Sequence, residues 1–227
     1  MLNVYVGHDP REQIAYDVCV SSIEIRSMAK VNKLSSIDIL EFNRPKEQNQ
    51  STDFTYTRFM VPYLNDYKGW ALFVDCDFIF LEDPENLLNH YPELKRHPVS
   101  VVKHPPYIPH TEIKMDGIAQ HAMWRKNWAS LMLLNCEQCT NLTPEYVNNH
   151  QPGRDLHQLL WASSIGSIPL EWNCLDDYYH LENPKAIHYT DGGPWFDNYK
   201  QTQYSNLWNT EHNILQIRRR NDTIRSI

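Results

Sequence analysis

Trp70-Ala-Leu-Phe-Val-Asp-Cys-Asp-Phe-Ile-Phe-Leu81 decides how this chain is to be read. Trp70 to Val74 is an apolar run of the length and character of a buried strand. Asp75 and Asp77 interrupt it, with apolar residues on both sides. Two carboxylates one residue apart in such a setting are costly to bury unless something compensates them. A divalent cation does so, because Mg²⁺ or Mn²⁺ takes oxygen ligands and can bridge to phosphate oxygens. A pair of Asp merely hydrogen-bonded at a strand end is the plainer alternative.

Outward from that stretch, strands and helices alternate. Asn3 to Val6 reads as a strand, and Gly7-His8-Asp9-Pro10 as a turn that caps a helix over Arg11 to Met28. Ser36 to Phe42 alternates apolar and polar residues and predicts a strand. Thr52 to Tyr63 predicts a helix, Asp83-Pro84 opens another, and Val99 to Val102 is again strand-like. Ser130 to Asn135 predicts a strand and Asp155 to Ser163 a helix, with a helical tail from Asp197 onward. This order predicts an α/β fold, a Rossmann-like, mostly parallel central sheet flanked by helices. Such sheets bind ligands beyond the C-terminal ends of their strands. The His8-Asp9 and Asp75-Cys76-Asp77 turns should therefore face one cleft. Lys103 to Trp128 has no clean period and predicts a long irregular segment. Tyr107, His110, Asp116, His121 and Trp124 make it a candidate for ligand contacts, against the alternative of a structural loop.

The chain has 227 residues, enough for one sizeable core. Its formal net charge of -7 argues against nucleic acid as the main partner. Only 7 Gly are present, which weakens any reading based on a glycine-rich phosphate loop. The 5 Cys are odd in number and irregularly spaced, as in a reduced, cytoplasmic protein. Cys136-x-x-Cys139 lacks a second pair, so buried thiols are expected there rather than zinc. No signal peptide and no transmembrane segment are expected. Arg218, Arg219 and Arg220 read as a solvated helix end, or as a contact for phosphate or an anionic surface.

Five segments, taken in order, carry a resemblance. Val4 to Ile23 is a strand, Asp-bearing turn and helix. Phe54-Thr-Tyr-Thr-Arg58 leads to Pro62-Tyr-Leu64, and Leu72 to Leu81 holds the D-x-D. Ile168-Pro-Leu-Glu-Trp-Asn173 and Ala186-Ile-His-Tyr189 with Pro194-Trp195 follow. Together they resemble family 8 of the glycosyltransferases, retaining enzymes of the GT-A fold that include glycogenin and bacterial galactosyltransferases. The resemblance implies a single domain over 1–227. In it, 1–102 is the nucleotide-binding half, 103–196 the acceptor and donor-sugar half, and 197–227 a helical tail. It also implies Mn²⁺ or Mg²⁺ on Asp75, Asp77 and His188, and a nucleotide-sugar donor, in particular a UDP-sugar. The acceptor would be a saccharide or other hydroxyl. Val6, Gly7 and Asp9 would line base and ribose, while Tyr56, Arg58 and the Asp75-Cys76-Asp77 turn would approach the rest of the donor. Gln158 would lie beneath the reacting carbon, and Asp155 would be the base if the reaction inverted. For His188 alone a satisfied core histidine is the alternative, and for Arg58 a surface salt bridge.

Three positions depart from the family pattern. Gly193 stands where a diphosphate-binding Lys is usual, Trp128-Ala129-Ser130 replaces Asn-Ser-Gly, and His157-Gln158 replaces Asp-Gln. This marks a divergent branch. Two other classes remain open: a haloacid-dehalogenase-like phosphatase with Asp75 as nucleophile and Asp176-Asp177 as the later pair, and a non-catalytic sugar- or nucleotide-binding protein.

Overall fold

Parallel pairing of the first strand fixes the architecture. A computed structural model describes residues 2–47, 50–106 and 124–225. In chain order the elements are β1 (Asn3–Gly7), α1 (Gln13–Glu24), β2 (Lys30–Leu34), α2 (Val61–Leu64), β3 (Trp70–Val74), β4 (Phe78–Phe80), α3 (Asn86–His90) and β5 (Val99–Val102). There follow β6 (Leu131–Asn135), α4 (Pro144–Asn149), α5 (Arg154–His157), β7 (Ile165–Ile168), β8 (Cys174–Leu175), β9 (Ala186–His188) and α6 (Ser205–Arg225). Six strands form one sheet in the order β2-β1-β3-β6-β5-β7, and β4-β9-β8 form a second. In the first sheet only β6 runs antiparallel to its neighbours. Val4, Val6, Leu72, Val74, Leu131 and Leu133 are completely buried, because helices and loops cover both faces.

The structure moves one strand and shortens three helices, the first from the expected Arg11 to Met28 down to Gln13–Glu24. Ser36 to Phe42 is not a strand: Ser36–Asp38 form a short 3₁₀ turn, and Ile37 and Leu40 lie 85% and 93% exposed. The edge strand is Lys30–Leu34, paired with β1. Its polar surface suits an edge and hid it from a search for apolar alternation. Thr52 to Tyr63 becomes turns, a 3₁₀ helix over Thr57–Met60 and the single turn of α2. Pro62 explains the break, since it fits the first turn of a helix but not its interior. The helix expected to reach Ser163 stops at His157, where Leu159 takes a left-handed φ of 56° and turns the chain.

The C-terminal helix α6 lies along α1 over a separate apolar cluster that includes Val18, Ile187, Tyr189, Trp208 and Leu215. Arg26 holds Glu211 through both guanidinium nitrogens at 3.0 and 2.6 Å. Arg218 pairs with Glu24 at 3.1 Å and Arg219 with Asp17 at 2.6 Å. Two of the three basic-run arginines thus dock α6 onto α1. Among the described residues no helix is long and apolar enough to cross a membrane. All five cysteines are buried free thiols, Cys136 and Cys139 included.

Candidate functional site

The two turns do meet at one edge. β1 and β3 are parallel neighbours with Val6 opposite Val74, so Gly7 to Glu12 and Asp75 to Asp77 leave the sheet side by side. The Asp75 N–H donates to the Ser130 carbonyl at 2.9 Å, which closes the turn against the start of β6. The second sheet supplies the third partner. Phe78 of β4 lies opposite His188 of β9, so Asp77, one residue earlier, reaches the imidazole. Single ligand atoms of Asp75, Asp77 and His188 all lie within 4.8 Å of one another.

The histidine is held from behind. Asn173 donates from Nδ2 to Ser130 Oγ at 3.0 Å, which leaves its Oδ1 to accept from His188 Nδ1 at 3.1 Å. Asn173 is wholly buried and His188 almost so, and Phe78 stacks on the ring at 4.3 Å. With its proton on Nδ1, the ring turns the Nε2 lone pair toward Asp77 Oδ2, 3.3 Å away. Between these two groups there is a place for positive charge, which a proton on Nε2 or a bound cation supplies. Two carboxylates and an imidazole make a donor set that suits a divalent cation.

Arg58 is not on the surface. It is buried, pairs with Asp75 through Nη1 at 2.9 Å, and donates to the carbonyls of Ala129 (2.7 Å) and Thr55 (3.0 Å). Its reach is toward the carboxylate, whose position it sets. Tyr56 belongs to the same support: its hydroxyl donates to Glu47 at 2.7 Å, and Arg44 lies 4.1 Å over its ring. His157 packs edge-on against Tyr56 and Phe59, and burial, then Arg58 and Arg44, push its pKa down to about 3.

Asp9 is wholly buried and saturated by its own chain. Arg11 donates to it from its backbone N (3.0 Å), Nε (3.0 Å) and Nη2 (2.7 Å), and Asp53 from its backbone N (3.2 Å). Burial alone would raise this carboxyl, but the Arg11 and Asp53 bonds outweigh it and hold the pKa below the ordinary value. Val6 and Gly7 are buried floor, and a Cβ on Gly7 would run into the Phe54 ring. The Cys76 side chain points away from its flanking carboxylates and donates from Sγ to Glu12 at 3.7 Å.

Glu12 was not legible as a site residue. It is only 4% exposed and Oε1 has no hydrogen-bond partner. Burial first, then the charges of Asp77, Asp9 and Asp75, push its pKa to about 8, so it keeps its proton at neutral pH. No periodicity marks such a residue, because its burial depends on a turn 63 or more positions away in the chain.

Asp155 lies 3.7 Å from His150 Nε2 and 4.0 Å from Arg154 Nε. The main-chain carbonyl of Gln158 accepts from Arg125. Asp176 and Asp177 accept from the backbone N–H groups of Tyr204 and Gln203, each at 2.9 Å, and so brace the entry to α6. A side chain at Gly193 would collide with the Trp195 ring, so the departure at this position is a matter of space. Of the irregular segment expected to meet a ligand, Tyr107, His110, Asp116 and His121 lie outside the described residues.

No known family model matches the chain. Protein CDI of Arabidopsis thaliana is 40% identical over 223 residues, which cover 92% of this chain and 85% of CDI. The chain belongs to the CDI family. Among solved structures, this CDI-family chain superposes on the bifunctional glycosyltransferase WbbM with a TM-score of 0.65 at 15% identity. It does so on the glycosyltransferase GlyE of Streptococcus pneumoniae with 0.59 at 14%, and on the galactosyltransferase LgtC, solved with donor and acceptor sugar analogues, with 0.59 at 12%. The matches cover 93%, 93% and 94% of the CDI-family chain, against 49% of WbbM, 61% of GlyE and 95% of LgtC. The chain thus spans about half the length of WbbM and three-fifths of GlyE. The fold of this CDI-family protein is the GT-A glycosyltransferase fold.

Proposed function

We propose that the chain is a metal-dependent glycosyltransferase that moves a hexosyl unit from a UDP-sugar to an acceptor hydroxyl with retention. The observation that carries this reading is the Asp75–Asp77–His188 cluster at the C-terminal edge of a GT-A sheet, with Asn173 fixing the imidazole tautomer. A bound Mn²⁺ or Mg²⁺ would supply neutralisation of the charge that develops on the leaving diphosphate. The chain's own groups prepare for that. Arg58 fixes Asp75, and Asn173 with Ser130 fixes His188, so the donor set needs little reorganisation. Val6 and Gly7 would form the floor under the nucleotide, with Asp9 shaping the turn. In the retaining reading the acceptor hydroxyl attacks on the face the diphosphate leaves. Its proton passes to a leaving oxygen, and Gln158 stands beneath the reacting carbon as a neutral group. Asp155 is the alternative base for an inverting course. A cytoplasmic location and the division into halves at 102 and 196 belong to the same proposal.

The phosphatase reading finds less support. It needs Asp75 as a nucleophile, whereas Arg58 pairs with it, and it needs Asp176-Asp177 at the metal, whereas both hold the backbone at Gln203 and Tyr204. Calorimetry with UDP and Mn²⁺ tests the proposal. Asp77→Asn, which removes one ligand charge at constant shape, is expected to weaken Mn²⁺-dependent UDP binding by tenfold or more while the metal-free protein melts no lower. Unchanged affinity in that variant would remove the site.

A further inference from the structure

A cleft of about 390 Å³ lies apart from the carboxylate cluster, lined among others by Lys103, Arg125, Trp128, Leu159, Leu160 and Ser164. Its volume is that of a small-ligand site. Two cations face it in a chain that carries 28 Asp and Glu against 21 Lys and Arg. Among the described residues no carboxylate pairs with either of them. Lys103 donates one proton to the Ile165 carbonyl at 2.8 Å, and its ammonium has two more. Arg125 donates from Nη1 to the Gln158 carbonyl, while its buried Nε has no partner.

The Arg125 guanidinium is also ordered in advance. It lies 4.5 Å from the Trp124 ring and 5.0 Å from the Trp128 ring. Trp128 is fixed in turn by donating Nε1 to the His104 carbonyl at 3.3 Å. A guanidinium held this way keeps its planar fork for a carboxylate or phosphate and gives up little freedom on binding. Trp128, which lines the cleft beside it, offers ring surface against which a sugar can pack. Neutral sugars would need neither cation.

The cleft is joined to the carboxylate cluster through the chain. Two residues after Arg125, the Asn127 side chain donates to Thr190, two residues beyond His188. Ser130, whose hydroxyl donates to the Asn127 carbonyl, stands 3.5 Å from His188 Nδ1. Arg125 itself holds the carbonyl of Gln158, the residue assigned to the reacting carbon. Arg125 and its neighbours thus tie the wall of the cleft to the residues assigned to the transfer chemistry.

We infer that this cleft binds the anionic group of a negatively charged acceptor saccharide, a sugar bearing a carboxylate or a phosphate. The word acceptor rests on the glycosyl-transfer reading; the binding of an anionic sugar does not.

Ligand-observed NMR without metal compares glucuronate, glucose 6-phosphate, glucose and inorganic phosphate on the whole protein. One or both anionic sugars should bind at least tenfold more tightly than glucose, and the bound sugar should weaken as salt is raised. Which of the two prevails distinguishes carboxylate from phosphate. Arg125→Met should lower that affinity at least tenfold and Lys103→Gln by about threefold, with Mn²⁺-dependent UDP binding unchanged in both. Lys103→Gln, on the solvent-exposed wall, keeps the test open should Arg125→Met fail to fold. Equal binding of glucose and the anionic sugars overturns the inference, as does full affinity in the variants. Binding of inorganic phosphate as tight as that of glucose 6-phosphate overturns the saccharide part. Anionic sugar binding in a protein that does not bind UDP with Mn²⁺ would leave the cleft standing and remove the transferase reading.

Discussion

The turns after β1 and β3 leave adjacent parallel strands at the same edge, and each carries aspartate, yet they do opposite work. Asp9 is surrounded by four N–H donors, three from Arg11 and one from Asp53. Asp75 and Asp77 keep 17% and 12% of their side chains exposed and stand against one arginine and one histidine. A carboxylate satisfied by its own backbone and a sequence neighbour fixes a loop. A pair set beside an imidazole lone pair has room for a cation. Asp9 is the more deeply buried, and the source of its donors sets the two turns further apart.

The sharpest way to break this contrast is Asp9→Ala. It removes a helix-entry cap and leaves the Asp53 N–H without its acceptor, for an expected loss of about 2–4 kcal/mol in unfolding free energy. Urea melts should show that loss equally with and without Mn²⁺. A variant that melts normally but no longer binds UDP would make Asp9 a ligand group and erase the distinction.

A smaller effect is expected behind the histidine. Asn173→Leu keeps side-chain volume but withdraws the acceptor from His188 Nδ1, and Mn²⁺-dependent UDP binding should fall by roughly tenfold. Asn173→Asp restores an acceptor and should recover most of it. If calorimetry finds both variants equal to the parent, the tautomer is not set from this side.

The smallest effect is one of slope, and it sets Glu12 against Asp9, three residues earlier. Glu12 has its folded pKa raised from 4.5 to about 8. The folded state therefore holds an extra proton between those values. Its contribution is complete below about pH 4.5 and is lost as pH rises toward 8, by at most about 1.4 kcal/mol per pH unit. Asp9 has the opposite sign. Its folded pKa lies below the ordinary 3.8, so its contribution is present above that pH and lost on acidification through the folded value. Urea unfolding in EDTA from pH 5 to 8 should show stability declining in the parent and a flatter profile in Glu12→Gln. Equal slopes would mean that Glu12 is ionised throughout.

Much of the site could be read in the sequence because it is local there. Asp75-Cys76-Asp77 announces itself by two charges inside an apolar run, and β1, β3, β5 and β6 by runs that must be buried on both faces. Edge strand β2 carries no apolar alternation because an edge is polar, and α5 is shorter than its pattern predicts because Leu159 turns the chain with no glycine to signal it. The sequence names Arg58 as a candidate donor contact but not its partner within the protein. Only the fold puts it under the sheet edge, against Asp75.

The sequence alone determined the buried strands β1, β3, β5 and β6 and the carboxylate pair, since apolar patterning and the desolvation of charge act over a few residues. Tertiary structure alone decided which polar groups meet. The Phe78–His188 register brings Asp77 to an imidazole 111 positions away, and Asn173, on a third strand's approach, fixes its proton. The same packing buries Glu12 beside three other carboxyl groups and leaves Lys103 and Arg125 without acidic partners among the described residues. Such pairings depend on distances between segments far apart in the chain, and those distances are set by how the two sheets and α6 pack.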